Sequence, residues 1–294
     1  MDNKHHNIEP YKNILIINLQ NRTDRLINVY QQLDSIGLSD STIRIKAVDK
    51  NEATEHTNIL STKACANIID IKDTCIIPNF SALGCALSHM KCWRYIIDNN
   101  LEDGLIVEDD IKITDPLAFK LDLTTIRNYI ISDKKHTTYN KPFFLVFNPM
   151  FNNNRNIDLS DNGYWYSNNY NDYMNGYENK YENNIVYHLC QPFTGTYMYY
   201  INRYMAEYLL NNIMTLTYQL DIEMGILSNR YDSNELFHAY NTKYITTENM
   251  GTDIQTYLIE NINLRSILRN DHNIPEDITD IVYSYLPNIF TNQR

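Results

Sequence analysis

The sequence predicts an α/β domain built on a mostly parallel central sheet, and three observations lead there. The continuous apolar run Ile14-Leu15-Ile16-Ile17-Asn18-Leu19 has the composition of a strand covered on both faces. Leu26, Val29, Tyr30, Leu33 and Ile36 then recur at helical spacing. Past Gly37, Ile43, Ile45 and Ala47 alternate with Arg44 and Lys46, the mark of a half-buried strand. Strand, helix and strand over this length form a βαβ unit, whose crossover favours parallel pairing.

The helix opens at Asn21-Arg22-Thr23-Asp24, where short polar side chains can cap its free amides, and Gly37 supplies the stop. From Asn51 to Phe80 the chain reads as irregular and polar. Ser81 is the expected cap of a second helix, with Leu83, Leu87, Met90, Trp93 and Ile97 on one side and its end at Asn99-Asn100. Leu105-Ile106-Val107 is the next strand and runs straight into Glu108-Asp109-Asp110. Lys141 to Phe147 and Tyr197 to Ile201 are further strands, and Arg203 to Asn211 a helix. Residues 152–184, rich in Asn, Tyr, Asp and Gly with no sustained period, read as a long surface insertion. Pro275 starts an amphipathic helix carrying Ile278, Ile281, Val282 and Tyr285, which either packs back on the domain or docks elsewhere. The organisation expected is a tail over 1–10, one domain over 11–262 and a helical tail over 263–294.

A hydrophobic fraction of 43% in 294 residues supports a substantial core. The formal net charge of -11, without a Lys/Arg stripe, argues against a nucleic-acid partner. Cys65, Cys75, Cys85, Cys92 and Cys190 form no C-x-x-C pair, which points to free thiols in a reducing compartment. The start has no apolar h-region, and no apolar run approaches the ~20 residues of a membrane helix. A cytoplasmic protein without a membrane span is expected.

Three carboxylates directly after a buried strand are the most informative local feature. The carboxyl ends of parallel strands border the crevice where α/β proteins bind ligands. With period two, Glu108 and Asp110 face one side and Asp109 the other. Like charges this close repel unless something positive sits among them. Mg²⁺ or Mn²⁺, bound by Glu108 and Asp110 and completed by water and diphosphate oxygens, answers that need. A solvated acidic turn is the bland alternative.

Four stretches in order give this region a resemblance to glycosyltransferase family 25, the lipooligosaccharide and procollagen galactosyltransferase-like enzymes. They are Ile17-Asn18-Leu19-Gln20-Asn21-Arg22-Thr23-Asp24-Arg25, Ala47-Val48-Asp49, Gly84-Cys85-Ala86-Leu87-Ser88-His89 with Trp93, and Leu105-Ile106-Val107-Glu108-Asp109-Asp110. Fainter echoes are Gly195-Thr196, Leu220-Asp221 and Thr252-Asp253-Ile254. The resemblance implies a GT-A-like nucleotide-sugar-binding sandwich, a UDP-sugar donor, and inverting transfer of a sugar, galactose or glucose first. The acceptor would be a glycan, a lipid-linked saccharide or a protein. Inversion asks for a base beside the acceptor hydroxyl, and Asp221 is the candidate, with an N-cap role as its alternative. An oxocarbenium-like transition state also gains from a neighbouring carboxylate, and Asp109 is the second catalytic candidate.

For the nucleotide, the candidates are Asn18, Arg22, Arg25, Ser88, His89 and Glu108. Arg22 and Arg25 could clamp diphosphate or simply charge a helix start. Asn18 could reach the nucleotide or satisfy loose backbone, and His89 could bind it or serve the core; Trp93 reads as packing. His238 or Asp253 could complete the metal shell, and tyrosines of the insertion could meet sugar faces. Two other readings compete: a catalytically silent scaffold that kept the fold, and an unrelated nucleotide-binding domain such as a nucleotidyltransferase. The latter lacks its glycine loop, since no G-x-G-x-x-G or Walker pattern occurs.

Overall fold

The computed structural model describes residues 11–134, 140–150, 186–189, 192–230 and 236–248. In chain order these form β1 (Ile14–Asn18), α1 (Thr23–Asp34), β2 (Thr42–Lys46), α2 (Lys50–Ala53), α3 (Thr62–Ile69) and α4 (Phe80–Asp98). Next come β3 (Asp103–Glu108), β4 (Ile111–Ile113), α5 (Pro116–Lys134), β5 (Phe144–Phe147), β6 (Tyr187–His188) and β7 (Met198–Asn202). The last are α6 (Arg203–Asn212), α7 (Leu220–Ser228), β8 (Phe237–Tyr240) and β9 (Ile245–Thr247).

Seven strands make the main sheet in the order β2-β1-β3-β7-β5-β8-β6. The βαβ expectation holds at its start, where β1 pairs in parallel with both β2 and β3. β7 then runs antiparallel between β3 and β5, β8 returns to parallel beside β5, and β6 is antiparallel at the edge. Five of the seven strands thus share one direction, a mostly parallel α/β sheet. A separate two-stranded ribbon joins β4 to β9.

On one sheet face, Leu105 and Val107 pack with Val29 and Leu33 of α1 and with Phe119, Leu123 and Ile126 of α5. Helix α4 covers the other face, close enough that a Cβ on Gly104 would stand 2.9 Å from the Ile96 side chain. Alternate residues of β3 therefore serve two different layers, as the pleat requires.

Several local expectations need correcting. The stretch from Asn51 to Phe80 is not irregular: it holds α2, a 3-10 segment over Thr54–Ile59 and α3. Asp49 caps α2 through the amides of Asn51 and Glu52, and Ser61 caps α3 through Ala64. Helices this short show too little period to be read from spacing. The cap of α4 is Asn79, which accepts from the Ala82 amide, and not Ser81. Helix α1 begins at Thr23, and Arg22 at its cap position makes no side-chain capping bond. Helix α5 and strands β4, β6, β8 and β9 have no counterpart among the expected elements. Gly37 takes φ +75, the left-handed value expected of its stop. The insertion over 152–184, the boundary at 262 and the helix from Pro275 lie outside the described residues.

Candidate active site

The loop after β1, the turn after β3, the middle of α4 and the start of α7 converge on Glu108-Asp109-Asp110. The three carboxylates, adjacent in sequence, have three different surroundings.

Asp109 turns toward α1. Its Oδ2 accepts from Nδ2 of Asn18 at 2.6 Å, and its Oδ1 stands 3.2 Å from the Arg25 guanidinium. Asn18 is itself fully engaged, donating to the Arg22 carbonyl at 2.9 Å and accepting from Arg44 at 2.6 Å. Burial raises the Asp109 carboxyl, while Asn18 and Arg25 pull it back down.

Glu108 turns toward α4. Oγ1 of Thr196 donates to its Oε1 at 3.2 Å, and Nε2 of His89 lies 3.4 Å from the same oxygen. The histidine contact is an ion-pair distance whose geometry falls short of a hydrogen bond. Burial works against the Glu108 charge, yet His89, Thr196 and Arg25 together hold the carboxyl below its usual value.

Asp110 is the unsatisfied member. Its Oδ1 is buried without a hydrogen-bond partner among the described residues. Burial first, then the charges of Glu108 and Asp109, push its carboxyl up to about 7. The alternation expected of an extended chain stops at Glu108, where β3 ends; Asp109 and Asp110 lie in the turn, and Asn18 and Arg25 are what draw Asp109 toward α1. Cys85 of α4 faces the same cluster, its thiol driven well above normal by burial and by Glu108, Asp221 and Asp110.

Asp221 joins from a distant part of the chain. It sits in the first turn of α7, whose cap position is Gln219, so the N-cap alternative does not hold. Oδ2 accepts from the Gly195 amide at 3.0 Å and Oδ1 from the Ile222 amide at 2.8 Å. Gly195 has φ +97, a left-handed conformation that suits glycine and aims its amide at Asp221. Burial raises the Asp221 carboxyl, and nearby Glu108 raises it further.

The helix α4 motif now has physical content. A Cβ on Gly84 would meet the Val48 carbonyl oxygen at 2.5 Å, so only glycine lets α4 approach the loop after β2 this closely. Ser88 then accepts from the Val48 amide at 2.8 Å and donates to the Gly84 carbonyl at 2.6 Å. One turn on, Nε1 of Trp93 donates to the Tyr199 hydroxyl at 2.9 Å, which lies 3.0 Å from Nδ1 of His89.

Of the expected ligand-binding residues, Arg22 and Glu108 are partly exposed, and Arg22 is paired with Asp24 at 3.0 Å. Asn18, Arg25, Ser88 and His89 are buried and engaged with the protein's own groups. His238 is not a neighbour of the cluster: its ring stacks on Phe143 at 4.6 Å and faces Tyr129 of α5. Asp253 lies outside the described residues. Sequence reasoning missed Tyr199 and Arg44, which no motif marks, and gave Thr196 only as part of a faint echo.

Among the described residues no three His, Cys, Asp or Glu side chains stand together as a complete metal site. Mg²⁺ or Mn²⁺ needs only one or two carboxylates when substrate phosphates complete its shell. The orphaned oxygen of Asp110, beside Glu108, fits that use. No described helix is long and apolar enough to cross a membrane.

A search of curated proteins finds no significant match. Among solved structures, a Bacillus anthracis protein assigned as a glucose-1-phosphate thymidylyltransferase, in complex with a sucrose, shares 10% identity. The match covers 90% of this chain and 97% of that one at a TM-score of 0.35, too slight to support an argument. The family profile described as glycosyltransferase family 25 (LPS biosynthesis protein) matches residues 11–224. That span takes in the loop after β1, the α4 motif, the carboxylate turn and Asp221, and the chain belongs to glycosyltransferase family 25.

Proposed function

We propose that this glycosyltransferase is an inverting, metal-assisted hexosyltransferase with a GT-A-type site. It moves galactose or glucose from a UDP-sugar to a hydroxyl of a glycan, a lipid-linked saccharide or a protein. The observation behind the finer reading is the buried Asp110 oxygen, without a hydrogen-bond partner among the described residues, next to Glu108 at the carboxyl end of β3. Such an arrangement is unfavourable by itself and becomes favourable around a cation.

Glu108 and Asp110 would hold Mn²⁺ or Mg²⁺, which when bound offsets charge on the departing diphosphate. Arg22, near the surface at the loop after β1, adds a guanidinium suited to phosphate oxygens. Asp221 takes the proton of the acceptor hydroxyl. The Gly195 and Ile222 amides fix its carboxylate, and its raised pKa makes it a stronger base. Asp109, clamped by Asn18 and Arg25, sets the turn that presents its two neighbours.

Calorimetry with UDP, UDP-galactose and UDP-glucose, with and without Mn²⁺, tests this directly. Metal-dependent binding that Asp110→Ala removes, with the circular dichroism unchanged, is expected. Equal binding in excess chelator would end the metal assignment. A chain that binds no nucleotide at all is the silent scaffold instead.

A further inference from the structure

Behind Glu108, a buried chain of polar groups leads back into the core. Nε1 of Trp93 lies 2.9 Å from the Tyr199 hydroxyl, Tyr199 lies 3.0 Å from Nδ1 of His89, and Nε2 of His89 lies 3.4 Å from Oε1 of Glu108. Trp93, Tyr199 and His89 are all wholly removed from solvent. The indole can only donate, so the Tyr199 oxygen must accept from it. The tyrosine's own proton then needs an acceptor, because a buried hydroxyl without one pays its full desolvation penalty. Nδ1 of His89 is the acceptor within reach among the described residues. The imidazole proton is thereby placed on Nε2, facing Glu108.

We infer that Tyr199, held by Trp93, is a positioning residue that fixes His89 as its Nε2–H tautomer and through it orients Glu108. This rests on the reading of Glu108 as part of the donor and cation site. Thr196 then donates to Oε1 at 3.2 Å, and Nε2 of His89 stands 3.4 Å from the same oxygen. Oε2 has no hydrogen bond among the described residues, so it is the oxygen left to a ligand. Partners of this kind orient a metal's ligands and set their basicity. The long histidine contact is of the type that tightens when a site is filled. Tyr199 itself has little freedom to turn away, because its ring stacks on Phe144 at 5.3 Å.

Two measurements test the relay. Long-range ¹H–¹⁵N spectra of the histidine-labelled full chain, without metal or nucleotide, report the His89 tautomer, assigned by comparison with His89→Asn. Nε2–H is expected in the wild type, and a mixture with Nδ1–H in Tyr199→Phe, which removes only the hydroxyl. Calorimetry with Mn²⁺ and UDP should show binding roughly 10–100-fold weaker in Tyr199→Phe at unchanged secondary structure. An Nδ1–H tautomer in the wild type, or equal binding by the variant, overturns the inference. Should Tyr199→Phe not fold, Trp93→Phe frees the same hydroxyl lone pair and must move both readouts the same way. A wild type that binds no UDP sinks the proposed function alone, and the tautomer still decides the relay.

Discussion

Nδ2 of Asn18 stands 2.6 Å from Oδ2 of Asp109 and ties the last residue of β1 to the turn after β3 across 91 positions of sequence. Arg25 closes the same carboxylate from α1 at 3.2 Å. With Asp109 so held, Asp110 is carried into the same turn, where its Oδ1 is buried without a hydrogen-bond partner among the described residues.

Asp109→Ala removes the carboxylate facing a buried guanidinium. A loss of roughly 3–5 kcal/mol is expected from breaking such a pair by removing one partner. Asn18→Ala, which removes a neutral hydrogen-bonding group, should be milder, about 1–3 kcal/mol. Urea unfolding monitored by tryptophan fluorescence measures both, and an Asp109→Ala loss below that of Asn18→Ala would contradict the clamp.

Asp110 gives the metal-free protein a distinctive pH dependence. Its carboxyl is raised from 3.8 to about 7 by burial, Glu108 and Asp109. Between those values the folded chain binds more protons at this site than the unfolded chain. Stability must therefore fall as pH rises through that window. Asp110→Asn should flatten this slope and leave the chelated protein more stable than wild type at pH ~7.5. Urea midpoints across the window in excess chelator check the sign. A wild-type slope of the opposite sign at this site would exclude the buried, unpaired carboxylate.

Gly84→Ala forces a methyl group against the Val48 carbonyl oxygen, 2.5 Å from where its carbon would sit. Overpacking of this kind destabilises by about 1–3 kcal/mol. Because α4 also carries Cys85 and His89, donor affinity should fall with stability. Thermal melts and UDP titrations on one preparation would reveal whether the two move together.

Asp221→Asn separates binding from chemistry. The amide is nearly the same shape but cannot take a proton, and its NH2 leaves either the Gly195 or the Ile222 amide without its acceptor; Mn²⁺-dependent UDP binding should persist at some cost in stability. Turnover of the donor that calorimetry identifies should drop by ~10²–10⁴. Undiminished turnover would move the base elsewhere.

The sequence by itself determined the βαβ opening, the helix of the α4 motif, the strand into Glu108 and the family. Each is written in local periodicity or in motifs whose residues lie close together. It also named the three adjacent carboxylates, but not their directions, because β3 ends at Glu108 and Asp109 and Asp110 lie in a turn where strand alternation no longer applies. Only the tertiary structure decided that β7 enters the sheet reversed, since nothing local to a short apolar run encodes its direction. It alone brought Gly195, Thr196 and Asp221 to Glu108, and set Tyr199 between Trp93 and His89. The ionisation of the three carboxylates belongs to it as well. Desolvation and charge partners are properties of what packs around a group, and Asn18, Arg25, His89 and Thr196 arrive from other elements. Spacing could name the acidic residues; packing gave each a different task.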